Sequence, residues 1–552
     1  MTKAQKSFLG GAAVLAGAGL VVKIIGAFFR IILTRTIGAE GMGIYQLAYP
    51  IYAFLLVAST AGLPVAVSRM VSSEIALGNH RGAHKVFTTA MKLLLVLGLV
   101  TGVVLFAVSG LISTMQGNEK SVWVLRAIAP SLLLVSVISA YRGYFQGMQN
   151  MTPTALSQIV EQVGKLVIGL SLGMAWISRG PEYGALGGIL GVTLSEVAAL
   201  VLLMGMYMGK RGKIMEQVRE GPENRLASTK SIMTTIVKIA VPVTIGAAVM
   251  PLVNFADQLI VVNRLKPIID QVSGIPASAF AKNSVTSVAT SVYGILTGAC
   301  NTLVNFPAFI SMALGVSLVP AISAAVAVKD RKKVARTAGT GARMTMLLAL
   351  PSAVGLMTLA EPIIRVLYGS GAEAFTEWQI AYGGWILSLL GVGVIFLSLI
   401  QSLTAILQGA GKVMLPVRNL LIGAVFKVVI TYVLVGNPAW NIRGAAMGTV
   451  VCYAVAAVLD LVGVIRHAGM AFSFRDIILK PVLAAGIMGL AVWGVKAYGY
   501  PLTGSWGITL VLAIGAGIVV YGVMLFVVRA MTKEDLALVP GLNKLKWFRK
   551  GR

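Results

Sequence analysis

Apolar residues run along this chain in long blocks separated by short polar breaks. A helix needs about 20 such residues to cross roughly 30 Å of hydrocarbon, and most of the blocks reach that length. Fourteen are read, at about 8–37, 43–77, 87–112, 122–146, 154–178, 184–208, 232–262, 286–327, 337–360, 378–408, 414–436, 443–465, 477–498 and 503–529. The second and eighth exceed one crossing, and they hold Pro50 with Pro64 and Pro307 with Pro320. Bends are expected there, because proline removes a helical hydrogen bond and crowds the preceding turn. The pattern predicts an all-α integral membrane protein of 14 transmembrane helices. Residues 8–22 follow Lys3 and Lys6 as a signal peptide's apolar region would, but the helical pattern continues through Lys23 and Arg30 to Ile37, so a retained first span is expected.

Composition agrees: 57% of residues are AVILMFWYC and only 12% are DEKR, which all but excludes a water-soluble enzyme. The formal charge of +27 would suggest a nucleic-acid partner in a soluble protein. Here its placement matters more. The even breaks carry the base: Arg81 and Lys85; Lys210, Arg211, Lys213, Arg219, Arg225 and Lys230; Lys329, Arg331, Lys332, Lys333 and Arg336; Lys412 and Arg418; Arg466, Arg475 and Lys480. The odd breaks carry acid, with Glu40, Glu119, Glu182, Asp270, Glu361, Glu373 and Glu377. That alternation predicts a multi-pass membrane protein with both termini cytoplasmic, its basic loops against anionic lipid and no nucleic-acid partner.

The chain also repeats itself. Phe145-Gln146-Gly147, Pro153 and Lys165 are echoed by Leu407-Gln408-Gly409, Pro416 and Lys427 at offsets of 262, 263 and 262, and Gly184-Ala185 by Gly444-Ala445 at 260. An even number of spans separates the copies, so the repeat is parallel, about an axis along the membrane normal. The expected organisation is a six-helix lobe over 1–209, a basic cytoplasmic linker over 210–231, a second six-helix lobe over 232–466, helices 13 and 14 over 467–531, and a basic tail over 532–552.

Enzymatic signatures are missing. Gly409-Ala410-Gly411-Lys412 continues with Val413 where a phosphate-binding loop needs a hydroxyl. Cys300 and Cys452 lie in apolar blocks and read as buried free thiols. His80 and His84 belong to a basic loop with no third ligand, so no metal site is expected, and with His467 they assemble no triad. A transporter without a cofactor is the expectation.

Charges inside the spans then carry the function, since each is costly unless it meets a partner or a wet cavity. Lys23 and Arg30 share one face of the first span, a stripe suited to a polyanion; Arg35 is placed either in the cavity or snorkelling to headgroups. Glu161 and Lys165 are spaced to neutralise one another, and Arg142 reads as a tie to Glu161 or Glu196. Asp257, near Asn254, is the candidate coupling-ion residue, with a salt bridge to Lys427 or Lys238 as the alternative; Asp460, near a cytoplasmic end, reads as facing water.

Several strings are similar to a known family: Lys23-Ile24-Ile25-Gly26, Arg30, Ile37-Gly38-Ala39-Glu40-Gly41-Met42-Gly43-Ile44-Tyr45, Gly62-Leu63-Pro64-Val65-Ala66, and Arg142-Gly143-Tyr144-Phe145-Gln146-Gly147-Met148-Gln149-Asn150-Met151-Thr152-Pro153. They resemble the polysaccharide-biosynthesis transporters of the stage V sporulation protein B type, relatives of the MurJ (MviN-type) lipid II flippases in the multidrug/oligosaccharidyl-lipid/polysaccharide exporter superfamily. The resemblance implies a V-shaped protein of two parallel six-helix lobes plus two C-terminal helices. Its expected activity is alternating-access translocation of an undecaprenyl-pyrophosphate-linked saccharide, driven by Na+, H+ or the membrane potential. It further implies a protein of the bacterial cytoplasmic membrane with first-helix cations at Lys23 and Arg30, a coupling carboxylate at Asp257 and an accompanying amide at Asn419. Taken with the charges inside the spans, the candidate cationic cavity is Lys23, Arg30, Arg35 and Arg142, the coupling-ion set is Asp257, Asn254 and Asn419, and the structural or relay charges are Glu161, Lys165, Glu196 and Lys427. A monomer is expected. Two departures stand out: the second and eighth spans lack the family's core arginines, Arg69 and Arg264 lying near ends, and Gly423 occupies the place of a second sodium carboxylate. A cation-coupled multidrug exporter, a membrane glycosyltransferase and a scaffold are the competing classes; base-rich spans, scattered outer acids and a duplicated frame with buried charges argue against each in turn.

Overall fold

The computed structural model describes residues 3–60, 62–220, 227–371 and 373–530. Every regular element among them is a helix. Large apolar side chains such as Leu99, Val103, Leu490, Val511 and Ile518 are exposed on these helices, as a lipid solvent requires: backbone polar groups are satisfied within each helix while side chains meet hydrocarbon.

The chain forms two compact units. The first comprises residues 1–299 with short returns at 371–375 and 435–442. It contains α1 (Lys3–Thr60), α2 (Leu63–Ala76), α3 (His80–Met115), α4 (Ser121–Gly147), α5 (Thr152–Gly164), α6 (Leu170–Trp176), α7 (Pro181–Glu220), α8 (Thr229–Leu265), α9 (Ser278–Lys282) and α10 (Val285–Gly294). The second contains α11 (Asn301–Ala327), α12 (Arg331–Thr358), α13 (Ala360–Tyr368), α14 (Glu377–Gly409), α15 (Met414–Val435), α16 (Ile442–Ala468), α17 (Lys480–Thr503) and α18 (Trp506–Val527).

Twelve of these helices are long and apolar enough to cross a membrane, or thirteen with the bent pair α12 and α13 counted as one span, so the expected fourteen is not confirmed by that count. The first, Gly17–Ala76, takes in two predicted blocks. Its turning point is Gly38 (φ 71°, ψ −176°), in the left-handed region a side chain disfavours, and not Pro50, which sits inside the helix. Pro64 does begin a new helix, α2. In the eighth block Pro307 and Pro320 lie within α11, and a π-helical turn over Ile295–Cys300 precedes it. The predicted linker is largely helical: α7 runs on to Glu220 because Ile214, Met215 and Val218 pack into the apolar cluster around Val71 and Ile232. His80 and His84 occupy the first turns of α3 and not a loop. The basic tail lies outside the described residues.

Glycines set the closest helix contacts. A Cβ on Gly43 would stand 2.1 Å from the Thr290 carbonyl oxygen, and one on Gly294 2.1 Å from that of Ala39, so α1 and α10 touch backbone to backbone. The repeat is visible in the same terms. Gly147 rests on Val71 and the Ser68 carbonyl, Gly409 on Ile322 and the Val319 carbonyl.

Candidate functional site

In the first unit the chain folds back at Gly38. Arg30 and Tyr49 would be about 28 Å apart on a straight helix at 1.5 Å per residue, yet the Arg30 guanidinium carbon lies 5.0 Å from the Tyr49 ring centre. Tyr45, Tyr49 and Tyr52 follow one another along this arm at ring separations of 6.0 Å. Their spacing places them on one helix face.

The carboxylates of this region are engaged elsewhere. Glu161 accepts from Lys165 Nζ at 2.7 Å and from Arg142 Nη2 at 3.2 Å, while Arg142 Nε donates to Ser157 Oγ at 3.0 Å. Glu196, fully buried on α7, accepts the Tyr52 hydroxyl at 2.8 Å. Arg30 is half-buried and makes no ion pair among the described residues. A guanidinium over a phenol ring, with no ion-pair partner among the described residues, presents a fork of donors suited to a phosphate. Of the cations predicted to line a cavity, Arg30 therefore keeps its charge available. Arg142 is committed to Glu161, the interhelical tie foreseen for it; Lys23 and Arg35 are exposed.

Of the predicted ion residues, Asp257 and Asn254 belong to the first unit and Asn419 to the second. Asp257 is buried on α8 in the first unit, within electrostatic range of Tyr293, whereas Asn254 is exposed. Its neighbour Gln258 is fully buried and neither end of its amide makes a hydrogen bond among the described residues. Sequence reasoning passed over Gln258, although an amide in an apolar helix is itself a signal. Asn419 belongs to the second unit, where its amide donates to Asp460 at 2.8 Å; the Thr404 hydroxyl donates to the other oxygen at 3.3 Å. Asp460 is 1% exposed, which corrects the expectation that it faces water: two polar donors let the carboxyl stay inside. Lys427 is buried in the same unit. A Cβ on Gly423 would come 2.5 Å from the Cys452 carbonyl oxygen, so the close crossing of α15 and α16 leaves no room for an aspartate there.

The polysaccharide biosynthesis protein family matches residues 8–326, and the MatE family residues 285–433. Stage V sporulation protein B of Bacillus subtilis is 28% identical over 98% of this chain and 99% of its own length. The lipid II flippase MurJ of the same bacterium is 26% identical over 88% of each. Among solved structures, a lipid II flippase MurJ in an inward closed conformation superposes with a TM-score of 0.70 at 16% identity, covering 94% of this chain and 99% of that one. An inward-facing multidrug resistance MATE family transporter of the MOP superfamily gives 0.64 at 16% identity, covering 82% and 95%. With the family's own profile spanning more than half of the sequence, the chain belongs to the polysaccharide biosynthesis protein family.

Proposed function

We propose that this protein is a flippase for an undecaprenyl-pyrophosphate-linked cell-wall saccharide, carrying the headgroup across the cytoplasmic membrane by alternating access with both termini in the cytoplasm. The observation that supports this most is Arg30: a half-buried guanidinium stacked on Tyr49 while Glu161 is taken by Arg142 and Lys165. An unpaired cation at that depth is costly unless an anionic ligand completes it, and a pyrophosphate accepts the bidentate fork. Lys23, on the same helix face, adds charge to the approach. Asp257 is our candidate for sensing a coupling cation. The Asn419 amide is engaged with Asp460, and Gly423 excludes a second carboxylate, so sodium coupling through a three-residue set is not favoured.

The test is complementation in bacteria depleted of their own lipid II flippase. Wild type is expected to sustain growth, Arg30→Ala to fail, and Arg30→Lys to rescue in part because charge survives but the planar fork does not. Normal growth with Arg30→Ala at equal membrane abundance removes Arg30 from headgroup binding. The MatE match keeps one other reading open, a cation-coupled exporter of the MATE type; efflux of a cationic dye that survives Arg30→Ala would favour it.

A further inference from the structure

The second unit holds a guanidinium in the same predicament as Arg30, at a place the sequence reading left aside. Arg443, in the first turn of α16, lies with its guanidinium carbon 3.6 Å from the centre of the Trp385 ring on α14. It makes no ion pair or hydrogen bond among the described residues, and its Nε is buried without a partner. The carboxylates at the start of α14 and on α13 are not available to it: Arg365 takes Glu377 in two bonds of 2.8 Å and Glu361 at 3.1 Å. Arg126 makes the contrast. It also faces a tryptophan, Trp123 at 5.4 Å, but donates its Nε to Ser109 Oγ at 3.1 Å and so is a satisfied interfacial anchor. Arg443 is stacked closer and satisfied less.

A guanidinium face pressed on an indole leaves its edge donors pointing outward, where an anion with oxygens at matching spacing satisfies them more strongly than water does. Trp385 keeps 39% of its surface exposed, so a bound group can also lie against the indole rim, as the apolar face of a sugar does. We propose that Arg443 and Trp385 form a second binding platform, for the phosphate of a sugar phosphate headgroup. It rests on the flippase reading for its role. Under the topology proposed above this end of the second unit is the outer one.

The experiment is a fluorescence titration of the full chain in phosphatidylcholine nanodiscs with inorganic pyrophosphate or glucose 1-phosphate, the Trp385 signal being the difference between wild type and Trp385→Phe. A saturable change is expected, lost in Arg443→Gln and shifted to about tenfold weaker binding in Arg443→Lys, which keeps the charge and guards against misfolding. An identical titration curve for Arg443→Gln overturns the platform. A response to added phosphatidylglycerol alone, with none to either soluble probe, overturns the saccharide assignment. Binding to purified protein does not require transport, so the flippase reading and the platform fail separately: Arg30→Ala growth decides the first and Arg443→Gln binding the second.

Discussion

Glu161→Gln is the sharpest test of how charge is held inside the first unit. The wild-type triad places one carboxylate between two cations, and the side chains of Arg142, Glu161 and Lys165 are only 14%, 15% and 12% exposed. Removing the central member leaves both cations desolvated with nothing between them, and breaking a buried pair in this way costs about 3–5 kcal/mol. Removing a flank is different. Lys165→Met leaves the 3.2 Å Arg142–Glu161 bond intact, so the loss is one charge-assisted hydrogen bond, about 1.5–3 kcal/mol. The expected excess for Glu161→Gln is about 2 kcal/mol, roughly a thirtyfold difference in the unfolding equilibrium. Unfolding of the purified variants in mixed micelles, followed by denaturant titration, measures it. Pairing Glu161→Gln with Arg142→Met should recover part of the loss, since one stranded cation goes with the carboxylate. If Glu161→Gln is no more damaging than Lys165→Met, the triad is not holding the helices and its cations are available to substrate after all.

Three further outcomes follow from particular contacts. Gly43→Ala forces a methyl into the 2.1 Å approach to Thr290, and α1 must part from α10; a loss of at least about 1–3 kcal/mol by the same unfolding assay is expected, and a neutral result would mean that the contact is not maintained. Asp460→Ala leaves the buried Asn419 amide and Thr404 hydroxyl without their acceptor, costing about 1–3 kcal/mol in thermal unfolding; a stabilising effect would contradict the hydrogen bonds at 2.8 and 3.3 Å. Burial, and after it the Glu40 carboxylate, hold Glu373 above the usual carboxylate value of 4.5. The folded chain thus binds that proton more tightly than the unfolded chain, so the stability contributed by this group is fully present below pH 4.5 and is lost as pH rises through the raised value. Glu373→Gln should flatten that limb of the melting temperature against pH; an unchanged slope refutes the assignment.

What was legible in the sequence was whatever a period or a spacing encodes. Glu161 and Lys165 four residues apart on a helix meet as their spacing demands, and the apolar blocks become helices because no other single-segment structure satisfies its own backbone in lipid. Helix ends were less legible. The basic stretch after 209 reads as a linker by charge, yet Ile214 and Val218 at helical spacing dock it onto the unit, a signal that was present and outweighed. Long-range partners were least legible. Asp460 looked solvent-facing by position, because nothing in its own segment reveals that Thr404 and Asn419 arrive from two other helices. Arg443, the first residue of the block at 443–465, went unremarked for the same reason: its meaning depends on Trp385 and on Arg365 having taken the nearby carboxylates.

The duplicated frame explains how one fold comes to hold different charge in its two copies. At the offset of 262, Arg142, Ser157, Glu161 and Lys165 fall on Thr404, Asn419, Gly423 and Lys427. In the first copy the carboxylate stands on the fifth segment of the repeat, and the arginine from the fourth reaches it. In the second, glycine replaces that carboxylate because α16 crosses too closely, and the acid stands instead on α16 itself as Asp460. Thr404 and Asn419, the counterparts of Arg142 and Ser157, both turn to Asp460. The first copy therefore sets Arg142 and Lys165 against two carboxylates, Glu161 and Glu196, while in the second a single carboxylate is held by neutral donors and Lys427 is buried in the same unit. With those cations matched by carboxylates, the first copy has Arg30 left over, a guanidinium that makes no ion pair among the described residues, and this supports the anionic-ligand reading proposed above. The second copy holds its buried acid with neutral donors alone, and the difference argues against a scaffold, in which buried charge carries only a cost.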